Sequence, residues 1–212
     1  MAITAAVFSA WLKRAGRELE SNKDYLTGLD AAIGDADHGI NMARGFKKII
    51  EGLPAVEDRD IGGLLKSAGM ALISNVGGAA GPLYGTFFLR AGASVEGRRE
   101  IEATDLARLL REGVRGVAER GKSAPGAKTM LDALAPAVDA FEATLNSGAD
   151  IAQTMRTCVA AAEKGMHDTI PLVATKGRAS YLGERSAGHQ DPGATSSWLL
   201  LRALADALDS SD

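Results

Sequence analysis

The sequence predicts an all-α fold made of one domain over residues 1–212. Apolar residues recur at the i, i+3, i+4 spacing of a helix face through most of the chain, and no segment shows the alternation of a half-buried strand. The unusual residues, glycine and aspartate above all, gather in the breaks between the periodic segments. Together these features point to a helical scaffold with functional loops at its helix ends, and they deny a doubly wound nucleotide fold its sheet.

The first periodic segment carries Val7, Phe8, Trp11, Ala15 and Leu19 on one stripe. Weaker helical patterns follow at 41–51, 62–74 and 82–93, the last with Pro82 in a first-turn position that suits its fixed φ. Leu106, Leu109, Leu110, Val114 and Val117 form the next stripe, with Thr104 as a candidate N-cap and Gly121 where a C′ glycine belongs. A pattern at 130–145, a stripe through Ile151, Met155, Cys158 and Ala162, and a nearly all-apolar run from Trp198 to Leu208 complete eight candidate helices. Three breaks stand out, at 29–39, 76–85 and 175–193. The third is longer than an ordinary unstructured connection in a compact domain, which marks it for function or disorder.

Composition narrows the function classes. With 24 Lys and Arg against 27 Asp and Glu, the net charge of −3 gives no bulk attraction for nucleic acid. One cysteine, Cys158, excludes an internal disulfide and a thiolate zinc cage; on its apolar stripe it reads as a small buried hydrophobe. No apolar run approaches the ~20 residues that span a bilayer, and the N-terminus lacks the basic start of a signal peptide, so a cytoplasmic location is expected.

Asp30, Asp35 and Asp37 are the sharpest chemical signal. On a continuous helix they would diverge, but Gly34 and Gly39 allow the chain to leave the helix and turn all three inward. Converging carboxylates repel unless a hard cation neutralises them. An EF-hand is excluded, because loop positions 5 and 12 counted from Asp35 fall on Gly39 and Phe46. A few ligands with open positions suit Mg²⁺ shared with substrate phosphates, whereas the competing reading is a solvated acidic loop.

Residues 76–85 read Val-Gly-Gly-Ala-Ala-Gly-Pro-Leu-Tyr-Gly, so backbone N–H groups at a helix start can cradle an anion. Close helix packing through small residues is the alternative reading. The stretch from Gly116 to Ser123 matches the Walker A pattern but continues a helix instead of following a strand, and is rejected as a P-loop, while the turn Gly-Lys-Ser-Ala-Pro-Gly-Ala-Lys-Thr stays a candidate ligand contact by another geometry. In 175–193, Arg178 and Arg185 are candidates for bidentate phosphate contacts, against the plainer reading of a mobile surface loop. His38, His167 and His189 show no metal-ligand spacing.

Taken together, Gly-Asp-Ala-Asp-His-Gly-Ile-Asn, Gly-Gly-Ala-Ala-Gly-Pro-Leu-Tyr-Gly-Thr-Phe-Phe, Gly-Ala-Lys-Thr-Met-Leu-Asp-Ala-Leu and the run from Gly177 to Ala194 resemble the nucleotide-binding L subunit of dihydroxyacetone kinase, from Trp11 to Leu208. The resemblance implies an antiparallel eight-helix barrel with ADP at one end and two Mg²⁺ ions held by Asp30, Asp35 and Asp37. It places nucleotide contacts on His38, Gly39, Ile40 and Asn41, on Ala79 and Ala80, on Gly121 and Met130, and on Arg178, Asp191, Pro192 and Gly193. No protein nucleophile is implied, since phosphoryl transfer asks mainly for positioning and charge neutralisation.

The family has two branches, one using free ATP with the ketone domain on the same chain, the other retaining ADP that is recharged by a phosphohistidine carrier. A first helix expected to begin almost at Met1 favours the second branch, with a ketone-binding K subunit and a phosphohistidine carrier M subunit as partners. A homodimer is left open. The competing readings are a subunit of a split ATP-dependent kinase, an L-type domain serving another short ketose or a fatty acid, and a regulatory module that binds Mg–ADP.

Overall fold

The computed structural model describes residues 2–56 and 58–210. A two-residue strand β1 (Ile3–Thr4) leads into α1 (Ala5–Ser21), α2 (Lys23–Ile33) and α3 (His38–Gly52). A 3₁₀ turn at Leu53–Ala55 precedes α4 (Ile61–Asn75) and α5 (Ala80–Ala93), and β2 (Glu100–Ile101) precedes α6 (Ala103–Gly121). The chain ends with α7 (Leu131–Asn146), α8 (Ile151–Asp168), a 3₁₀ segment at Arg178–Ser186 and α9 (Pro192–Asp209).

Helices α1 and α3 to α9 each pack on the next, and α9 closes on α1, giving the expected eight-helix barrel. The antiparallel sense is visible in α4 and α5, where Gly62 meets Gly92 and Gly69 meets Gly85. A Cβ at either Gly69 or Gly92 would lie within 2.8 Å of a carbonyl oxygen of the other helix, so these glycines set how closely the two backbones approach. The mainly aliphatic barrel interior holds an aromatic cluster: Trp11 and Phe88 ring centroids lie 5.5 Å apart, and Phe46 meets Phe88 edge-on at 6.2 Å. Trp11 donates its indole N–H to Leu200 O at 2.9 Å, which satisfies the one polar atom it brings into the core. Cys158 is wholly buried, as its stripe implies, and burial pushes its thiol up to about 12.

Several expectations need correction. A ninth helix, α2, lies against α3 and α9 and ends inside the segment expected to be a break at 29–39. It buries only Leu26, Asp30 and Ile33, so a carboxylate interrupts the apolar periodicity that would have marked it. Glu102, not Thr104, caps α6, because Glu102 and Asp105 exchange side-chain and backbone bonds in a capping box. The left-handed position that ends α6 falls on Lys122 (φ 46°) and not on Gly121. The segment 175–193 contains the 3₁₀ turns at Arg178–Ser186, broken by a kink at Gly183, and the first residues of α9. Strands do exist, as one minimal antiparallel pair with Ile3 opposite Ile101, which pins the start of the chain to the connection before α6. Among the described residues no helix is long and apolar enough to cross a membrane.

Candidate functional site

Alternate connections of the barrel, at 34–37, 76–79, 122–130 and 169–191, meet at one end and line a common cavity. Asp30 occupies the last turn of α2, which ends at Gly34, a position where any Cβ would collide with the Asp30 carboxylate. With Gly34 in place, Asp30 Oδ2 accepts the backbone N–H of Asp37 at 2.9 Å and of His38 at 3.1 Å. Between Asp35 and Asp37 the chain turns through Ala36 in the left-handed region (φ 61°), a conformation costing an alanine about 1 kcal/mol. The result is three carboxylates with ligand oxygens all within 4.8 Å of one another. Hard anionic oxygens at that separation fit a magnesium ion that keeps open positions for phosphate. Arg178, from the 3₁₀ segment, reaches Asp35 Oδ2 at 2.9 Å and so stands beside the same cluster.

Gly77, Gly78, Ala79 and Ala80 form the facing wall and open α5, so its N-terminal dipole points at the cavity. Gly78 adopts φ 63°, which a larger residue would adopt only under strain. Gly81 and Gly85, by contrast, serve packing: a Cβ on Gly81 would strike Val76 O and one on Gly85 would strike Ile73. The packing reading of this run therefore holds for Gly81 and Gly85, while Gly77 and Gly78 stand in the cavity wall.

A hydrogen-bonded network behind this wall ties three helices together. Tyr84 donates to Gly193 O at 3.0 Å and shares bonds of 2.7 and 2.8 Å with the Ser196 and Ser197 hydroxyls. Ser196 also meets His38 Nε2 at 2.9 Å. Burial pulls His38 down to about 4, against the opposing pull of Asp30 and Asp37, so the imidazole is neutral beside the acidic cluster. Burial likewise pushes the Tyr84 phenol up, keeping it a hydrogen-bond donor. Sequence reasoning missed this network. Its one signal was a pair of serines at the start of a helix that is otherwise nearly all apolar.

Asp191 caps α9 by accepting Ala194 N–H at 2.7 Å, and burial raises its carboxyl to about 7 from an ordinary value of 3.8. Between those two values the folded protein binds the extra proton and the unfolded chain does not. Stability of the metal-free protein should therefore fall as pH rises through about 4 to 7, with the loss complete above 7. Asp191→Asn keeps a capping oxygen and removes the charge, so its urea midpoint should depend less on pH than the wild type's between about pH 5 and about pH 8. Parallel pH profiles would refute this.

Asp30, Asp35, Asp37, His38, Asn41, Ala79, Ala80, Met130, Arg178, Asp191, Pro192 and Gly193 all line the cavity. Gly121 lines an adjoining, mainly apolar lobe with Pro82, Leu83 and Val117, joined to the first at Ala79 and Met130. Gly39 and Ile40 line neither: Gly39 packs against Lys23 O and Thr27 of α2, and Ile40 is exposed. Gly39 thus brings α2 close to α3 instead of turning the chain. Arg185 is exposed and lies outside the cavity wall, so Arg178 alone of the two arginines reaches it. Tyr84, Lys128 and Lys176 are cavity residues that motif reading did not single out.

An acidic cluster, a helix N-terminus and an arginine surround one cavity, with an apolar lobe beside it, an arrangement whose chemistry suits a phosphate-bearing ligand together with a divalent cation. The chain belongs to the DAK2 domain family, whose model matches residues 32–206. It is 46% identical over 205 residues to the PEP-dependent dihydroxyacetone kinase, ADP-binding subunit DhaL of Escherichia coli, covering 97% of this chain and 98% of that protein. It is 43% identical over 210 residues to the ADP-binding subunit DhaL of PEP-dependent dihydroxyacetone kinase 2 of Listeria innocua, covering 98% and 97%. The crystal structure of the dihydroxyacetone kinase from C. freundii in complex with AMP-PNP and Mg²⁺ superposes with a TM-score of 0.72 at 25% identity, over 93% of this chain and 33% of that one.

Proposed function

We propose that this protein is the ADP-binding subunit of a cytoplasmic dihydroxyacetone kinase, a phosphotransferase whose bound ADP accepts a phosphoryl group from a phosphohistidine carrier and passes it to dihydroxyacetone on a ketone-binding subunit. The observation that carries this is the shared cavity: Asp30, Asp35 and Asp37 on one side, the start of α5 on the other, and a mainly apolar lobe leading away past Met130. Asp30, Asp35 and Asp37 would hold two magnesium ions, which supply charge neutralisation for the phosphates. The backbone at Ala79 and Ala80 and the Arg178 guanidinium orient the phosphates, and Gly121 and Met130 shelter the base. The full-length likeness to ADP-binding subunits of PEP-dependent kinases supports ADP as cofactor and the two partner subunits.

If 175–193 folds over a bound nucleotide, Mg–ADP should raise the melting temperature by the equivalent of RT ln(1 + [L]/Kd), about 2.7 kcal/mol at a hundredfold excess. Proteolysis between Thr175 and Gly193 should slow in parallel. Cleavage there at an unchanged rate, with saturating Mg–ADP, would make the segment a plain surface loop.

A further inference from the structure

One side chain at the cavity's edge stands out among the described residues. Lys128 is 1% exposed, yet its ammonium is surrounded by main-chain carbonyls: Thr169 O at 2.7 Å, His189 O at 2.5 Å, Leu172 O at 3.1 Å and Ile170 O at 3.4 Å. Its backbone is left-handed (φ 61°), and the turn around it is held by Asp132, which accepts Gly126 N–H at 2.5 Å and Thr129 N–H at 2.7 Å. Burying a full charge costs several kcal/mol unless the surroundings compensate, so a lysine in this place needs a reason.

The reason lies in what the four carbonyls belong to. Thr169, Ile170 and Leu172 begin the segment that leaves α8, and His189 ends the same segment before it enters α9. Between these ends the chain runs along the cavity and carries Lys176, Gly177 and Arg178 into its wall. The ammonium therefore joins the departing and returning ends of one strap. Secondary ties follow the same path, with Gly188 N–H donating to Ile170 O at 2.7 Å and Asp191 N–H to Thr169 Oγ1 at 3.0 Å. Without a cation, four carbonyl dipoles converging on one point repel each other. Carbonyl oxygens can replace the hydration shell of a potassium ion in just this way.

We propose that Lys128 is a positioning residue that acts as a tethered monovalent cation: it clamps both ends of the 169–189 strap and so presents Arg178 and the start of α9 to the nucleotide. This deepens the nucleotide-binding reading above and rests on it. Carrying its own cation, the wild-type protein needs none from solution, whereas Lys128→Ala opens a carbonyl-lined site that a small cation can fill.

The test measures Mg–ADP binding by calorimetry, with ADP as a potassium-free salt, in choline chloride and in potassium or ammonium chloride of equal ionic strength. The wild type should bind alike in all three. Lys128→Ala should bind more weakly in choline by on the order of 10- to 100-fold, and potassium or ammonium should restore most of that loss. Lys128→Met, whose stem fills the space without charge, should be weak in every salt. Undiminished binding of Lys128→Ala in choline would overturn the proposal, as would a loss that neither cation relieves or a rescue of Lys128→Met equal to that of the alanine variant. If Lys128→Ala does not accumulate folded, the same salts are compared on refolding: recovery in potassium but not choline supports the clamp, and equal failure in both overturns it. A wild-type protein that binds no Mg–ADP would instead sink the nucleotide reading; the clamp is then decided by proteolysis of ligand-free Lys128→Ala, where faster cleavage within 169–189 in choline than in potassium supports it and equal cleavage in both overturns it.

Discussion

Replacing any one of Asp30, Asp35 and Asp37 with asparagine is expected to weaken Mg²⁺-dependent ADP binding by on the order of a hundredfold or more, with the helical fold retained. Each change removes a hard anionic ligand at almost constant volume, and magnesium relies on charged oxygen donors that a neutral amide replaces poorly. The structure separates the three variants. Asp30→Asn keeps an oxygen that can accept the N–H groups of Asp37 and His38, so the turn should survive. Asp35→Asn also loses its ion pair with Arg178 and should free that side chain even without metal. The metal-free variants should melt at or above the wild-type temperature, because each relieves repulsion among oxygens that lie within 4.8 Å of one another. Titration calorimetry at fixed Mg²⁺, with circular dichroism as the check on folding, decides the matter. Wild-type affinity in any of the three would remove that residue from the metal site.

The donor is the second large effect. A cofactor that is charged and discharged in place has to stay bound between turnovers, while an ATP-consuming kinase has to release ADP in each cycle. Here the carboxylate turn, the glycine turn at 76–79 and the strap at 169–191 surround one cavity from three sides, and enclosure acts mainly by slowing dissociation. ADP should therefore copurify with the protein and exchange slowly with labelled nucleotide. Given ATP and dihydroxyacetone, the protein alone should make no dihydroxyacetone phosphate, and activity should require both a ketone-binding subunit and a phosphohistidine carrier. The deciding assay supplies the ketone-binding subunit and excess ATP but withholds the carrier. Sustained multiple turnover there would move this chain to the ATP-dependent branch.

How much of this was legible beforehand differs by element. The amphipathic helices were, because a stripe such as Val7, Trp11 and Ala15 is a local property that any window of sequence displays. Helix α2 was not, since its buried face reads Leu26, Asp30, Ile33, and a carboxylate on the inner face cancels the signal. The acidic turn and the glycine turn were legible as motifs for the same local reason: their chemistry sits within about ten residues of chain. Gly39 shows the limit of that logic. It stands within a motif, yet it is small because Lys23 O of the preceding helix lies against it.

The sequence by itself determined the helical class and marked the acidic cluster and the glycine turn, because periodicity, charge and glycine placement act over one or two helical turns; the nucleotide contacts were implied only by the family resemblance. Only the tertiary structure decided that α2 stands outside the ring of the other eight α-helices among the described residues, that Arg178 reaches Asp35 while Arg185 stays in solvent, and that Tyr84 joins Ser196 and Gly193 across the barrel. It also decided the role of Lys128, which as a letter in the sequence is one more basic residue in a loop. Its four acceptors come from positions 41 to 61 residues further along the chain, and only barrel closure brings those carbonyls to one point around a side chain that is 1% exposed, where burial lowers the lysine's pKa against the opposing pull of Asp191 and Asp132.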